Sequence, residues 1–254
     1  MSRYYKVGDK QLPSCTTIIS DCTSSTGWAI PYGANQACDW IIENAKFDTS
    51  DGFYYEVEED ELRRKRKDEK DYPANARYAH KHHSKKALDI GSEVHGLIED
   101  YLTYILRHKD GWIWPDGMSD EVENAFRAFW NWSIDNDLKP ISLEQTVYGD
   151  GWAGTLDFYG YFNDRLYVID WKSSKAFYPE MRYQVAAYRS TYDIVRVPDK
   201  PYVEGCGVLR LDKETGLPKF HDCSKTYESD LAVFNAMVEL FYLRHKIIAK
   251  RAGR

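Results

Sequence analysis

Two acids and a lysine stand where two short strand-like runs can bring them together. Asp157 ends the run Gly154-Thr155-Leu156-Asp157, and Asp170 and Lys172 flank Trp171 at the end of Val168-Ile169-Asp170-Trp171-Lys172. With Asn163-Asp164 as a two-residue hairpin turn, Phe162 pairs with Arg165 and the continued ladder sets Asp157 directly opposite Asp170. A four-residue loop gives the same register, and an odd-length loop makes the two acids diagonal neighbours. Alternation along the second strand then gives Lys172 the face of Asp170 and turns Trp171 away. Opposed carboxylates on a sheet cost roughly 0.2–1 kcal/mol and raise each other's pKa, a conflict that a bound divalent cation removes. Oxygen ligands suit Mg²⁺ or Mn²⁺, which would polarise a phosphoryl oxygen and lower the pKa of an attacking water. Lys172 would hold that nucleophile or offset the charge growing on the phosphoryl oxygens. A plain surface hairpin in which Lys172 pairs with Asp170 explains the same residues, and the hairpin alone does not separate the two readings.

The elements around the hairpin decide what else reaches it. Ala87 to Arg107 repeats apolar residues at helical spacing and carries His95; Ser119 caps a second helix whose apolar face runs through Val122, Phe126 and Phe129. Ser142–Tyr148, Ala153–Tyr161 and Arg165–Trp171 read as a meander of strands, and Glu144 lies on the first, alternating with Leu143 and Gln145. Glu180–Val195 reads as a helix on which Gln184 and Tyr188, four apart, share a face. Tyr202–Leu211 reads as a strand and Asp230–Lys250 as a closing helix. The first 60 or so residues show little periodicity apart from Asn35–Asn44. Glu56–Lys70 is dominated by charge, and Tyr72-Pro73 interrupts the pattern, so an exposed helix or mobile loop is expected there. The order of elements predicts an α/β fold, a mixed central β-sheet flanked by helices. Residues 1–86 are expected to pack on the core as an N-terminal segment that is mobile in part and within reach of DNA. Residues 87–254 form the core, in one structural domain overall.

Four motifs occur in order: Gly91-Ser92-Glu93-Val94-His95, Gly154-Thr155-Leu156-Asp157, Asp170-Trp171-Lys172 and Gln184-Val185-Ala186-Ala187-Tyr188. The set resembles the RecB-like exonuclease branch of the PD-(D/E)xK nuclease superfamily, over about residues 87–190. Leu12-Pro13-Ser14-Cys15-Thr16-Thr17-Ile18-Ile19 is similar to an N-terminal segment of phage and mitochondrial genome maintenance exonucleases of this branch. The resemblance implies a restriction-endonuclease-like core. It also implies Asp157, Asp170 and the main-chain carbonyl of Trp171 as metal ligands and Lys172 as the catalytic lysine. His95 would reach the ion from its helix, and Gln184 and Tyr188 would contact the same phosphate or the lysine. An acid near Glu144 often joins such a site, although a solvated strand acid explains it as well.

The activity implied is Mg²⁺- or Mn²⁺-dependent hydrolysis of DNA, single-stranded or with a free end, in phage or bacterial replication, recombination or repair. An endonuclease or flap nuclease of the same superfamily is the alternative. A nucleic-acid-binding module without turnover and an aromatic-rich carbohydrate-binding protein are the readings from other classes. The iron–sulfur cluster of some relatives is not expected, because only Cys223 lies beyond Cys206 and the cysteine trio is missing.

Composition bounds these readings. The 254 residues carry 34 basic and 40 acidic side chains, net −6, so attraction to nucleic acid must be local, at Arg63–Lys67, Lys81–Lys86 or the C-terminal run from Arg244. Twenty tyrosines and 8 tryptophans suit base stacking as well as a core. Five scattered cysteines do not make a disulfide framework and read as reduced thiols. No run is long and apolar enough to span a bilayer, and the start lacks a secretory signal, so a cytoplasmic protein is expected.

Overall fold

The structure, a computed structural model, describes residues 3–23, 46–48, 52–54, 72–108, 111–194 and 202–245. Two compact units are present, one of residues 1–24 with 90–254 and one of 25–89. Within the second unit, strands β3 (Lys46–Asp48) and β4 (Gly52–Tyr54) form an antiparallel pair. The periodic stretch Asn35–Asn44 and the charged stretch Glu56–Lys70 lie outside the described residues.

The first unit begins with a hairpin of β1 (Tyr4–Val7) and β2 (Lys10–Pro13), leading into helix α1 (Cys15–Thr23). Ser14 stops the strand and starts the helix: its hydroxyl accepts the Thr17 N–H at 2.9 Å, satisfying one of the first-turn donors. Helix α2 (Tyr72–Arg107) starts fifteen residues before the predicted Ala87, by the interval from 72 to 87. Pro73 does not interrupt it but occupies the first turn, where a missing N–H costs nothing. Helix α3 (Asp120–Asp135) is capped as expected, with the Ser119 Oγ accepting the Val122 N–H at 3.4 Å.

A five-stranded mixed sheet follows: β5 (Leu138–Gly149), β6 (Trp152–Phe162), β7 (Arg165–Lys172), β8 (Gly205–Leu211) and β9 (Pro218–Asp222), paired in that order. All neighbours are antiparallel except β7 and β8, which are joined through helix α4 (Pro179–Ile194), the crossover that a parallel pair requires. Helix α5 (Tyr227–Arg244) closes the fold. β9 and the β1–β2–α1 stretch are elements that periodicity in the sequence did not reveal.

Alternation sends the two sides of β7 into different cores. Leu166 and Val168 of β7 pack with Ile18 of α1, Val185 of α4 and Phe234 of α5, whereas Tyr167, Ile169 and Trp171 pack with Val94 and Ile98 of α2 and Phe126 and Phe129 of α3. The sheet is thus the middle of three layers, with helices on both faces. Among the described residues no helix is long and apolar enough to cross a membrane.

Candidate metal centre

The β6–β7 turn forms as the sequence predicts: Asn163 and Asp164 both have positive φ, 49° and 60°, the geometry of a tight two-residue hairpin, and Phe162 pairs with Arg165. The ladder does not run on to Asp157 and Asp170. It ends one rung earlier, at Phe158 and Ile169, and the Asp157 carboxylate takes the N–H of Trp171 at 2.7 Å, a donor that further pairing would have given to β6. The strands fork here. Ser14 enters beside β6 and forms a parallel bridge with Ala153.

Strict alternation also fails at this level of β5 and β6. Trp152 and Leu156 belong to the α1/α4/α5 core and Phe158 to the α2/α3 core, although all three have the same parity. On β5 the same switch falls between Leu143, in the α2/α3 core, and Val147, in the other. Glu144 therefore does not simply alternate with Leu143 and Gln145. Its φ is +44°, a conformation costing roughly 1–3 kcal/mol for a residue with a side chain, and the register on either side sets it opposite Asp157. The result is two acids side by side beneath α2.

His95 descends onto them. Its Nδ1 lies 3.6 Å from an Asp157 oxygen and 3.8 Å from a Glu144 oxygen, and its Nε2 lies 3.1 Å from the carbonyl of Trp171. A carbonyl only accepts, so Nε2 carries the proton and Nδ1 faces the acids. Potential ligand atoms of His95, Glu144 and Asp157 all lie within 4.8 Å of one another. One imidazole nitrogen and two carboxylates form a mixed nitrogen and oxygen donor set of the kind that holds a divalent cation. Helix α2 comes close to β7 at Gly91, where a Cβ would stand 3.4 Å from the Ser173 hydroxyl.

Asp170 faces the other way. It is 1% exposed, one oxygen 2.5 Å from the Lys172 ammonium and the other accepting from Gln184 Nε2 at 3.1 Å. Gln184 also donates to the Tyr188 hydroxyl at 3.1 Å, so the two α4 residues and the Asp170-Trp171-Lys172 strand form one buried network. The sequence placed Asp170 among the ligands; the structure groups Glu144, rather than Asp170, with His95 and Asp157. Trp171 contributes its N–H to Asp157 and its carbonyl to His95, and so braces both ligands. The expected juxtaposition of Lys172 with Asp170, and of Gln184 with Tyr188, is present.

Charges are strongly coupled. Burial raises the Asp157 pKa and Asp170 raises it further, against the pull of His95 and Lys172, leaving it at about 7. For His95 burial lowers the pKa, but Asp157 and Glu144 outweigh it and hold the imidazole at about 9. Burial likewise works against the Lys172 ammonium, and Asp170 and Asp157 overcome it, so the lysine stays charged. Without an ion, a protonated His95 is the counter-charge of the acids; a divalent cation would take the proton's place.

One residue reads in the sequence only as a reduced thiol. Cys15, fully buried in the first turn of α1, lies near enough to Asp170 and Lys172 for its ionisation to feel both, while burial raises its thiol pKa well above the usual value. Only its place within the segment Leu12–Ile19 pointed to it. Gly154 has a plainer reason: a Cβ there would stand 2.5 Å from a ring carbon of Tyr188. A search of protein-family models finds none that matches this chain, and no curated protein matches it. The functional reading therefore rests on these residues and their geometry.

Proposed function

We propose that the chain is a Mg²⁺- or Mn²⁺-dependent deoxyribonuclease of the PD-(D/E)xK type, RecB-like in its motifs and built on a restriction-endonuclease-like core. It hydrolyses phosphodiester bonds of DNA that is single-stranded or has a free end, as an exonuclease. The observation that carries the reading is the convergence of His95, Glu144 and Asp157 within 4.8 Å at a strand fork whose other side holds the Asp170–Lys172 pair. Four motifs far apart in sequence supply one location, and an accidental hairpin would not gather them.

His95, Glu144 and Asp157 would hold the ion, which when bound supplies Lewis-acid polarisation of the phosphoryl oxygen and a more acidic water. The protein's own groups do the rest. Trp171 fixes the His95 ring through its carbonyl and the Asp157 carboxylate through its N–H, so neither ligand need reorganise. Lys172 stays protonated, so its role is to offset the charge growing on the phosphoryl oxygens. Asp170, held by Gln184, aims that ammonium.

The test is incubation of end-labelled linear and circular DNA, single- and double-stranded, with Mn²⁺ or with chelator, beside Lys172→Ala. Mn²⁺-dependent loss of linear but not circular substrate is expected. No metal-dependent cleavage by the unmutated protein would overturn the nuclease assignment, and unchanged cleavage by the lysine variant would overturn the role given to Lys172.

A further inference from the structure

Beyond Glu144 and Asp157, β5 and β6 continue as a regular pair whose register fixes what the face of the acids carries next. Thr146 pairs with Thr155, and Tyr148 with Ala153. Between them, Val147, Trp152 and Leu156 point into the α1/α4/α5 core, and Gln145 accepts from the Tyr192 hydroxyl of α4. Alternation puts Thr146, Thr155, Tyr148 and Ala153 on the opposite face, in line with the acids. Three rungs therefore follow one another: Glu144 and Asp157, then two threonines, then a tyrosine beside an alanine. Thr146 is exposed and Tyr148 is 53% exposed. The N-terminal hairpin flanks the middle rung. The Tyr5 hydroxyl lies 2.9 Å from the Thr155 hydroxyl, and the Arg3 guanidinium sits 5.0 Å over the Tyr5 ring.

We propose that these rungs, with Tyr5 and Arg3 at their side, are the track along which a single DNA strand lies as it meets the metal centre. The proposal deepens the nuclease reading and rests on it. A polymer whose scissile phosphate is held at the first rung must continue along a surface that adjoins it. Successive rungs are about 7 Å apart, two residues of strand, close to the step between phosphates of an extended single strand. Threonine hydroxyls at the second rung donate to a phosphate, and Arg3 adds a cation beside them. At the third, the exposed Tyr148, paired with the small Ala153, offers an aromatic surface to a base. Such stacking needs an unpaired base whose face is free, as a single strand has and the interior of a duplex does not.

The test measures anisotropy of a labelled oligothymidylate with the full chain in Ca²⁺, checking on a gel that the probe stays intact. Tyr148→Ala and Arg3→Ala are each expected to weaken binding, the tyrosine variant by roughly tenfold. Tyr148→Trp, which keeps a ring, is expected to hold the affinity, and a duplex probe is expected not to distinguish Tyr148→Ala from the unmutated protein. A Tyr148→Ala protein with an unchanged melting temperature that binds the oligothymidylate as well as the unmutated chain would overturn the track. So would a Tyr148→Trp protein as weak as the alanine variant. Mn²⁺ titration of the unmutated protein separates this failure from the other: Mn²⁺ bound with no loss in Tyr148→Ala sinks the track alone, whereas no Mn²⁺ binding sinks the metal centre on which it depends.

Discussion

Lys172 shows how the site sets the state of its own groups. Its side chain is only a quarter exposed, at 25%, and burial alone would favour the neutral amine; two acids reverse that preference. Replacing it by alanine removes a positioned cation and leaves Asp170 buried with Gln184 as its remaining polar partner. Cleavage by Lys172→Ala is expected to fall by roughly 10²–10³-fold, the scale for one transition-state-stabilising donor, with Mn²⁺ binding retained, as single-turnover rates and calorimetry would read. Gly154 sets a second residue-level limit. Its missing Cβ makes room for Tyr188, and Gly154→Ala is expected to destabilise the fold by about 1–3 kcal/mol, measured as a lowered urea midpoint. The two-residue turn and the closeness of Lys172 to Asp170 were legible because they need only turn chemistry and alternation; the expected pairing of Asp157 with Asp170 was not met, because the ladder ends at Phe158 and Ile169 and Asp157 takes the Trp171 N–H instead. Glu144 was half legible: its identity was plain, but a positive φ at glutamate is imposed by the pairing on both sides, which no local propensity announces.

At the scale of elements, the three central strands and helices α3, α4 and α5 follow from their apolar periods, and the errors share a cause. Helix α1 is nine residues of mostly threonine, isoleucine and cysteine, which read as loop or strand until Ser14 caps them. β9 is short and opens with Pro218, at the end of its strand where a missing N–H is tolerated. Between β8 and β9, Asp212 does the work of a cap: its carboxylate takes the N–H groups of Glu214 and Thr215 at 3.0 Å each and the Arg210 guanidinium at 2.9 Å. The Thr215 N–H is the largest cause of an Asp212 pKa lowered to about 2; partial burial opposes it and Arg210 assists. A folded-state pKa below the unfolded value of about 3.9 adds stability that is complete above that value and is lost as pH falls through 2. Asp212→Ala is therefore expected to cost about 1 kcal/mol at pH 6, and the gap between variant and unmutated protein should shrink as denaturation is repeated down to pH 2.

For the molecule as a whole, the centre joins parts that the chain keeps far apart. His95 comes from a helix packed on one face of the sheet, Glu144 and Asp157 from two strands, and the buried Asp170–Lys172 pair from the far side of the fork. In the absence of an ion these strands hold neighbouring acids whose repulsion His95 and Lys172 oppose, and Glu144 holds a strained backbone. An ion bound by the folded state and not by the unfolded chain must then stabilise the whole unit by linkage, about 2.7 kcal/mol at a hundred times its Kd. For a domain of this size, that is a rise in Tm of roughly 5–10 °C. Mn²⁺ is expected to produce such a rise in a thermal melt and chelator to reverse it. Glu144→Gln should reduce the increment, Asp157→Ala should abolish it, and Tyr148→Ala should keep it, because Tyr148 lies two rungs from the acids. A melt indifferent to Mn²⁺ in the unmutated protein would mean that the three side chains gather without holding an ion, and that His95 is simply the permanent counter-charge of the buried Asp157 and the half-buried Glu144.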